Sequence, residues 1–238
     1  MAADYLVGSF FGIVGILLLL FTLLIIRNGI NEINLSFGIA TLMLSISSFI
    51  CSVAFFGFPH IAYFGNFIMF WAPVGIYLSG MLIMYGKPAY KHPLTIAVFI
   101  SFAFISAIYI FFVFTNDSVL SLFDTILVSS IIVTAMLLVA TGVYYQVYLY
   151  ARETKSHVFF LILGLIVTIV GLIGIILTTD NSLLGGLHLG MELQPFFGVT
   201  VNAGILISAI AFTIIPDKIK GKLEEGLLKM QQPTTHTQ

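Results

Sequence analysis

Charge is scarce in this sequence: only 8% of its 238 residues are Asp, Glu, Lys or Arg, against roughly 25% in an ordinary water-soluble domain. There is a single cysteine, Cys51, so an internal disulfide, a cysteine-built zinc cage and an iron–sulfur centre all lack ligands. The formal net charge of −1 gives no overall basic bias, which excludes nucleic acid as a partner. No ionisable Lys, Arg, Asp, Glu or His falls in the central part of any long apolar run. An intramembrane proton relay, a bis-histidine haem site and a buried catalytic dyad therefore have no residues to use, and neither enzymatic activity nor a cofactor is expected. The seventh apolar run has no lysine for a retinal Schiff base. The five histidines, His60, His92, His157, His188 and His236, all lie in connections or the tail without metal-ligand spacing.

What is present is apolar. Hydrophobic residues make up 60% of the chain and the mean hydropathy is +1.13, values that identify an integral membrane protein. A spanning helix needs about 20 mostly apolar residues, and seven runs meet that requirement: Tyr5–Ile26, Leu35–Phe56, Ile61–Tyr85, Pro93–Phe114, Ile126–Tyr148, Val158–Leu177 and Pro195–Ile215. The fold class expected is an all-α seven-transmembrane-helix bundle. It occupies residues 1–216, followed by a juxtamembrane amphipathic segment, 217–230, and a disordered tail, 231–238. In the amphipathic segment Ile219, Leu223 and Leu227 recur one turn apart between lysines, a pattern suited to an anionic lipid surface.

The few charges are segregated. All nine basic residues fall in the first, third and fifth connections and the tail: Arg27, Lys87, Lys91, Arg152, Lys155, Lys218, Lys220, Lys222 and Lys229. The opposite face carries Asp4, Asp117, Asp124, Asp180 and Glu192 with no Lys or Arg. Cytoplasmic loops are enriched in Lys and Arg, so the expectation is an outside N-terminus, a cytoplasmic C-terminus and a cell-membrane location. The start "MAADYLVGSF" has no basic n-region, unlike a cleaved export signal. Asn116-Asp117-Ser118 matches the N-x-S glycosylation pattern on the outer side.

Helical spacing identifies two kinds of face. Gly38, Thr41, Ser45, Ser48 and Ser52 form one stripe of the second span. Gly8, Gly12 and Gly15 mark the first span, and Gly164, Gly171 and Gly174 the sixth. Small residues let helix backbones approach, so these are close-contact surfaces, within the bundle or between protomers of a homo-oligomer. A more polar stripe, Ser130, Thr134, Thr141 and Tyr145, lies on the fifth span. The third span brings Tyr63, Asn66, Phe70, Trp71 and Tyr77 around an interior Pro73. Asn66 and Asn202 lie at similar depth below the outer surface. They are candidates either to bond each other or to hold a ligand, together with Trp71, in an outer cavity rimmed by Asp124, His188 and Glu192.

Several segments carry a resemblance: the basic-ended first connection "IIRNGINEINLSFG", the aromatic third span "NFIMFWAPVGIYLSGMLIMYG", the charged fifth connection "YARETKSHVFFLILGLIV" and the closing "ELQPFFGVTVNAGILISAIAF". Across most of residues 5–215 the chain resembles the seven-helix N-terminal membrane sensor region of prokaryotic histidine kinases, without an attached output domain. The resemblance implies a sensor that passes a ligand or lipid state to a separate membrane or cytoplasmic protein partner. A non-catalytic subunit of a larger membrane complex is the alternative. Third stands a small-solute transporter: sugar carriers built from two three-helix repeats are similar in length and topology, but hinge on prolines in spans one, two, five and six, where this chain has none.

Overall fold

The computed structural model describes residues 2–58, 61–115, 122–150, 155–178 and 194–214. The expected tail segments, the Asn116 triplet, Arg152, His188 and Glu192 lie outside them. Seven helices account for nearly all described residues: α1 Ala2–Arg27, α2 Glu32–Phe55, α3 Ala62–Tyr85, α4 Pro93–Thr115, α5 Leu122–Tyr150, α6 Lys155–Thr178 and α7 Gln194–Ile214. All seven are long and apolar enough to cross a membrane. In hydrocarbon only a helix or a closed barrel satisfies its own backbone, so runs of this length become helices. Their ends follow local signals. Asn31 caps α2, its side chain accepting from the backbone N–H of Asn34 at 2.7 Å. Gly86, at φ 59°, ends α3 and turns the chain into a short 3-10 segment, Lys87–Lys91.

Six helices close a ring in the order α1, α2, α3, α5, α6, α7, with α7 returning to α1. The fourth stands outside it and packs mainly on α3. Burial shows the difference: 67% of the apolar stretch of α3 is buried, against 22% in α4. Its contacts with α3 are aromatic: Trp71 meets Phe102 edge-on, and the ring of Tyr109 meets Phe70 at 4.9 Å while its hydroxyl donates to the Tyr63 carbonyl.

The small-residue stripe of α2 is the seam with α1. Ser45 donates to the Gly15 carbonyl and Ser52 to the Gly8 carbonyl, at 2.8 and 2.7 Å. Thr22 donates to Thr41, which donates to Gly38 of its own helix. Bonds of this kind are each worth roughly 0.6–2 kcal/mol in membrane bundles. Between α6 and α7 the glycines bring backbone against backbone: a Cβ on Gly164 would lie 2.6 Å from the Ser208 nitrogen, and one on Gly171 2.7 Å from that of Val201. Both glycine faces are thus filled from within one chain.

Neighbouring contacts also fix which ends meet. Asn28, after α1, donates to the Thr213 carbonyl at the end of α7. Lys87 comes within 4.0 Å of Glu32, joining the 3-10 segment to the start of α2. Burial and the Glu32 carboxylate together push the Tyr90 phenol above its ordinary pKa. At the start of α6, the Lys155 ammonium lies over the Tyr148 ring of α5 at 5.6 Å. Arg27, Lys87, Lys91 and Lys155, the basic side chains among the described residues, consequently share one end of the bundle.

Candidate functional site

At the centre of the ring five helices surround a cavity of about 30 Å³. That is room for about two water-sized groups, since one water needs roughly 10–15 Å³ of such space. Its wall is apolar: Phe37 and Leu44 from α2, Met69 and Pro73 from α3, Leu137 from α5 and Ile205 from α7 are among the residues that form it. Three hydroxyls reach the wall, but each is already engaged. Thr41 donates to Gly38, Thr168 to Gly164 at 2.9 Å and Ser208 to Gly204 at 3.0 Å.

The α3 helix is built to sit here. Pro73 has no N–H, so the Met69 carbonyl one turn earlier loses its helical donor beside the cavity. Two residues on, Gly75 lets α2 approach: a Cβ there would lie 2.7 Å from the Ser36 carbonyl oxygen. Farther along, the Ser79 hydroxyl donates to the Ile76 carbonyl and takes up the buried Tyr144 hydroxyl of α5 at 2.6 Å. A bond between two fully buried side chains fixes the register of α3 against α5.

The candidate ligand residues are placed differently from one another. Asn66 is buried at 8% exposure, on the same face as Met69, Pro73 and Ile76, and its amide nitrogen has no hydrogen-bond partner. Asn202 is also buried, but its amide donates to the Gly198 carbonyl of its own helix at 2.8 Å. No hydrogen bond joins the two amides. Trp71 turns toward α4 and forms no part of the central wall. Asp124 lies in the first turn of α5. Of the polar stripe on α5, Ser130 and Thr134 are buried while Tyr145 is exposed. Spacing marks Thr134 only as part of that stripe; in the structure its hydroxyl, like the Asn66 amide, is buried and unpartnered.

Compared with protein-family models, with curated proteins and with solved structures, the chain matches none. The site therefore rests on its own chemistry. Its interior is apolar and its lining holds no acidic or basic side chain, while the unpartnered Asn66 and Thr134 groups are buried outside that lining.

Proposed function

We infer that the chain is a non-enzymatic multi-pass membrane sensor, or receptor-like module, that binds a small molecule or lipid and signals to a separate protein. The observation that carries this reading is the buried, unpartnered Asn66 amide of α3, one turn before the wall residue Met69. A buried donor without an acceptor raises the free energy of one helix arrangement by about 1–3 kcal/mol, so anything that satisfies it shifts the balance toward that arrangement. Through Pro73 and the Ser79–Tyr144 bond, the same helix reaches the basic end of the bundle. In this reading that end faces the cytoplasm and presents the change to the partner, as the distribution of Lys and Arg supports.

Two measurements check it. Reporters fused after Arg27 and after Lys91 are expected to read cytoplasmic; an external signal from either would overturn the orientation. For the coupling, spin labels at Lys91 and Ser156, both exposed at the basic end, give a distance distribution in nanodiscs. Asn66→Leu removes the unpaired donor, and a change of about 1.4 kcal/mol or more alters a two-state ratio at least tenfold. The expected result is redistribution between two distances with insertion unchanged. An identical distribution in wild type and variant would remove Asn66 from any signalling role.

A further inference from the structure

Helices α6 and α7 are locked to each other over most of their length. A Cβ on Gly174 would fall on the Phe197 ring, one on Gly171 would lie 3.0 Å from the Phe197 carbonyl oxygen, and one on Gly204 2.5 Å from the Thr168 nitrogen. Toward the basic end, the Ser208 hydroxyl lies 3.4 Å from the Leu161 carbonyl oxygen. From Leu161 to Gly174 main chain therefore faces main chain over ~20 Å of helix, and a displacement of either helix carries the other. The seams on either side of this pair are thinner, that of α7 with α1 most of all. Its specific ties to the rest of the bundle collect at one end. Asn28, after α1, donates to the Thr213 carbonyl at 3.1 Å, Phe212 stacks on Phe37 of α2, and the Lys155 ammonium lies over the Tyr148 ring of α5. All three lie toward the basic end.

We propose that α6 and α7 swing as one rigid pair against a body formed by α1, α2, α3 and α5, pivoting at the basic end, so that the central cavity opens and closes. This goes beyond the sensor reading and stands without it, since it assigns the moving part and not what moves it. The cavity lies on the boundary between the two bodies: Leu165, Thr168, Leu172, Val201, Ile205 and Ser208 of the pair form one side, and α2, α3 and α5 supply the other. A void on that boundary means that the pair parts from few packed atoms when it swings. Away from the pivot, α7 meets α1 through apolar side chains, with Val14, Leu18 and Ala209 in one cluster. In a bilayer such contacts exchange for lipid hydrocarbon at small cost, because no apolar drive holds them together. The Ser79–Tyr144 bond joins α3 to α5 inside the body and is untouched by the motion.

The test uses the full chain in nanodiscs, carrying Cys51→Ser and pairs of spin labels at exposed positions: Ile13 and Leu24 of α1, Ile131 of α5, Ile173 of α6, and Val199 and Ile210 of α7. Away from the pivot, the pairs Ile13–Val199 and Ile131–Ile173 cross from body to moving pair, and each is expected to show two distances. Ile173–Val199, within the pair, and Leu24–Ile210, beside the pivot, are each expected to show one. Leu172→Ala takes a side chain of the pair off the cavity wall. It should shift the ratio of the two distances about tenfold toward the longer, and by the same factor at both crossing pairs. A second distance in Ile173–Val199 would show that α6 and α7 part, and one in Leu24–Ile210 would show that the basic end is no pivot; either overturns the proposal. So would a single distance at every pair in both the parent chain and Leu172→Ala, the mark of a bundle that moves as one piece.

Discussion

Gly204→Val is expected to open the seam between α6 and α7 and to lower bundle stability by about 3 kcal/mol, the upper part of the range for overpacking. A Cβ on Gly204 would lie 2.5 Å from the Thr168 nitrogen and 2.6 Å from the Gly164 carbonyl oxygen, and it would collide with the Thr168 hydroxyl. Two of those obstacles are main chain, which cannot swing aside as a side-chain end does. Gly164 faces back in the same way, toward the Gly204 carbonyl at 2.7 Å, so relief requires the helices to separate along several turns. Separation also costs the Thr168 and Ser208 hydroxyls their setting at the cavity wall. Gly142→Ala is the matched control, since nothing lies within 4 Å of its added Cβ. Alanine there should be neutral or gain up to about 1 kcal/mol from helix propensity. Steric trapping in bilayers reads both values, and equal stability of the two variants would show that α6 and α7 do not approach as closely as described.

Phe212→Ala should cost a similar amount for a different reason. Phe212 and Phe37 stack at 3.8 Å between centroids with their planes 4° apart, both almost wholly buried, and so tie α7 directly to α2 across the ring. Truncation of a buried phenylalanine costs about 3–5 kcal/mol in soluble cores. Among lipids the apolar drive toward burial is absent, so the loss reflects contact alone and the lower figure, about 3 kcal/mol, applies. Phe37, the ring that would lose its partner, forms part of the cavity wall. Phe212→Leu keeps most of the volume and should lose under about 1.5 kcal/mol. In a double-mutant cycle with Phe37→Ala the two losses should fail to add by 0.5 kcal/mol or more. Strict additivity would mean that the rings do not share one contact.

Much of this architecture is legible in the residues. The seven helices follow from run length, and the serine and threonine stripe on α2 and the glycines of α1 and α6 mark close seams because only small residues permit such approach. Helix ends differ from expectation by a few residues, most at α5, which begins at Leu122 rather than Ile126. Less legible is which face meets protein and which meets lipid. Leucine, isoleucine and phenylalanine suit both, so nothing in "PLTIAVFISFAFISAIYIFFVFT" declares that α4 lies outside the ring. The asparagines show the same limit in another form. Depth along the membrane can be counted in residues, but whether an amide bonds its own helix, as in Asn202, or stays free, as in Asn66, depends on the neighbours that surround it. Trp71 drew notice as a bulky aromatic near Pro73, yet its partner Phe102 is on a helix whose position hydropathy cannot give. Tyr144, the residue that fixes α3 against α5, sits next to the more conspicuous Tyr145 and was hidden by it.

The outlying place of α4 has a geometric meaning. Helices α3 and α5 are side by side in the ring and point the same way, and two such neighbours cannot be joined by a short turn. The chain must travel back across the bilayer first, and α4 is that return stroke. Its duty is one of length and greasiness, so its identity is free to drift wherever it does not touch α3, while its removal would bring α5 in from the wrong side and invert the last three helices.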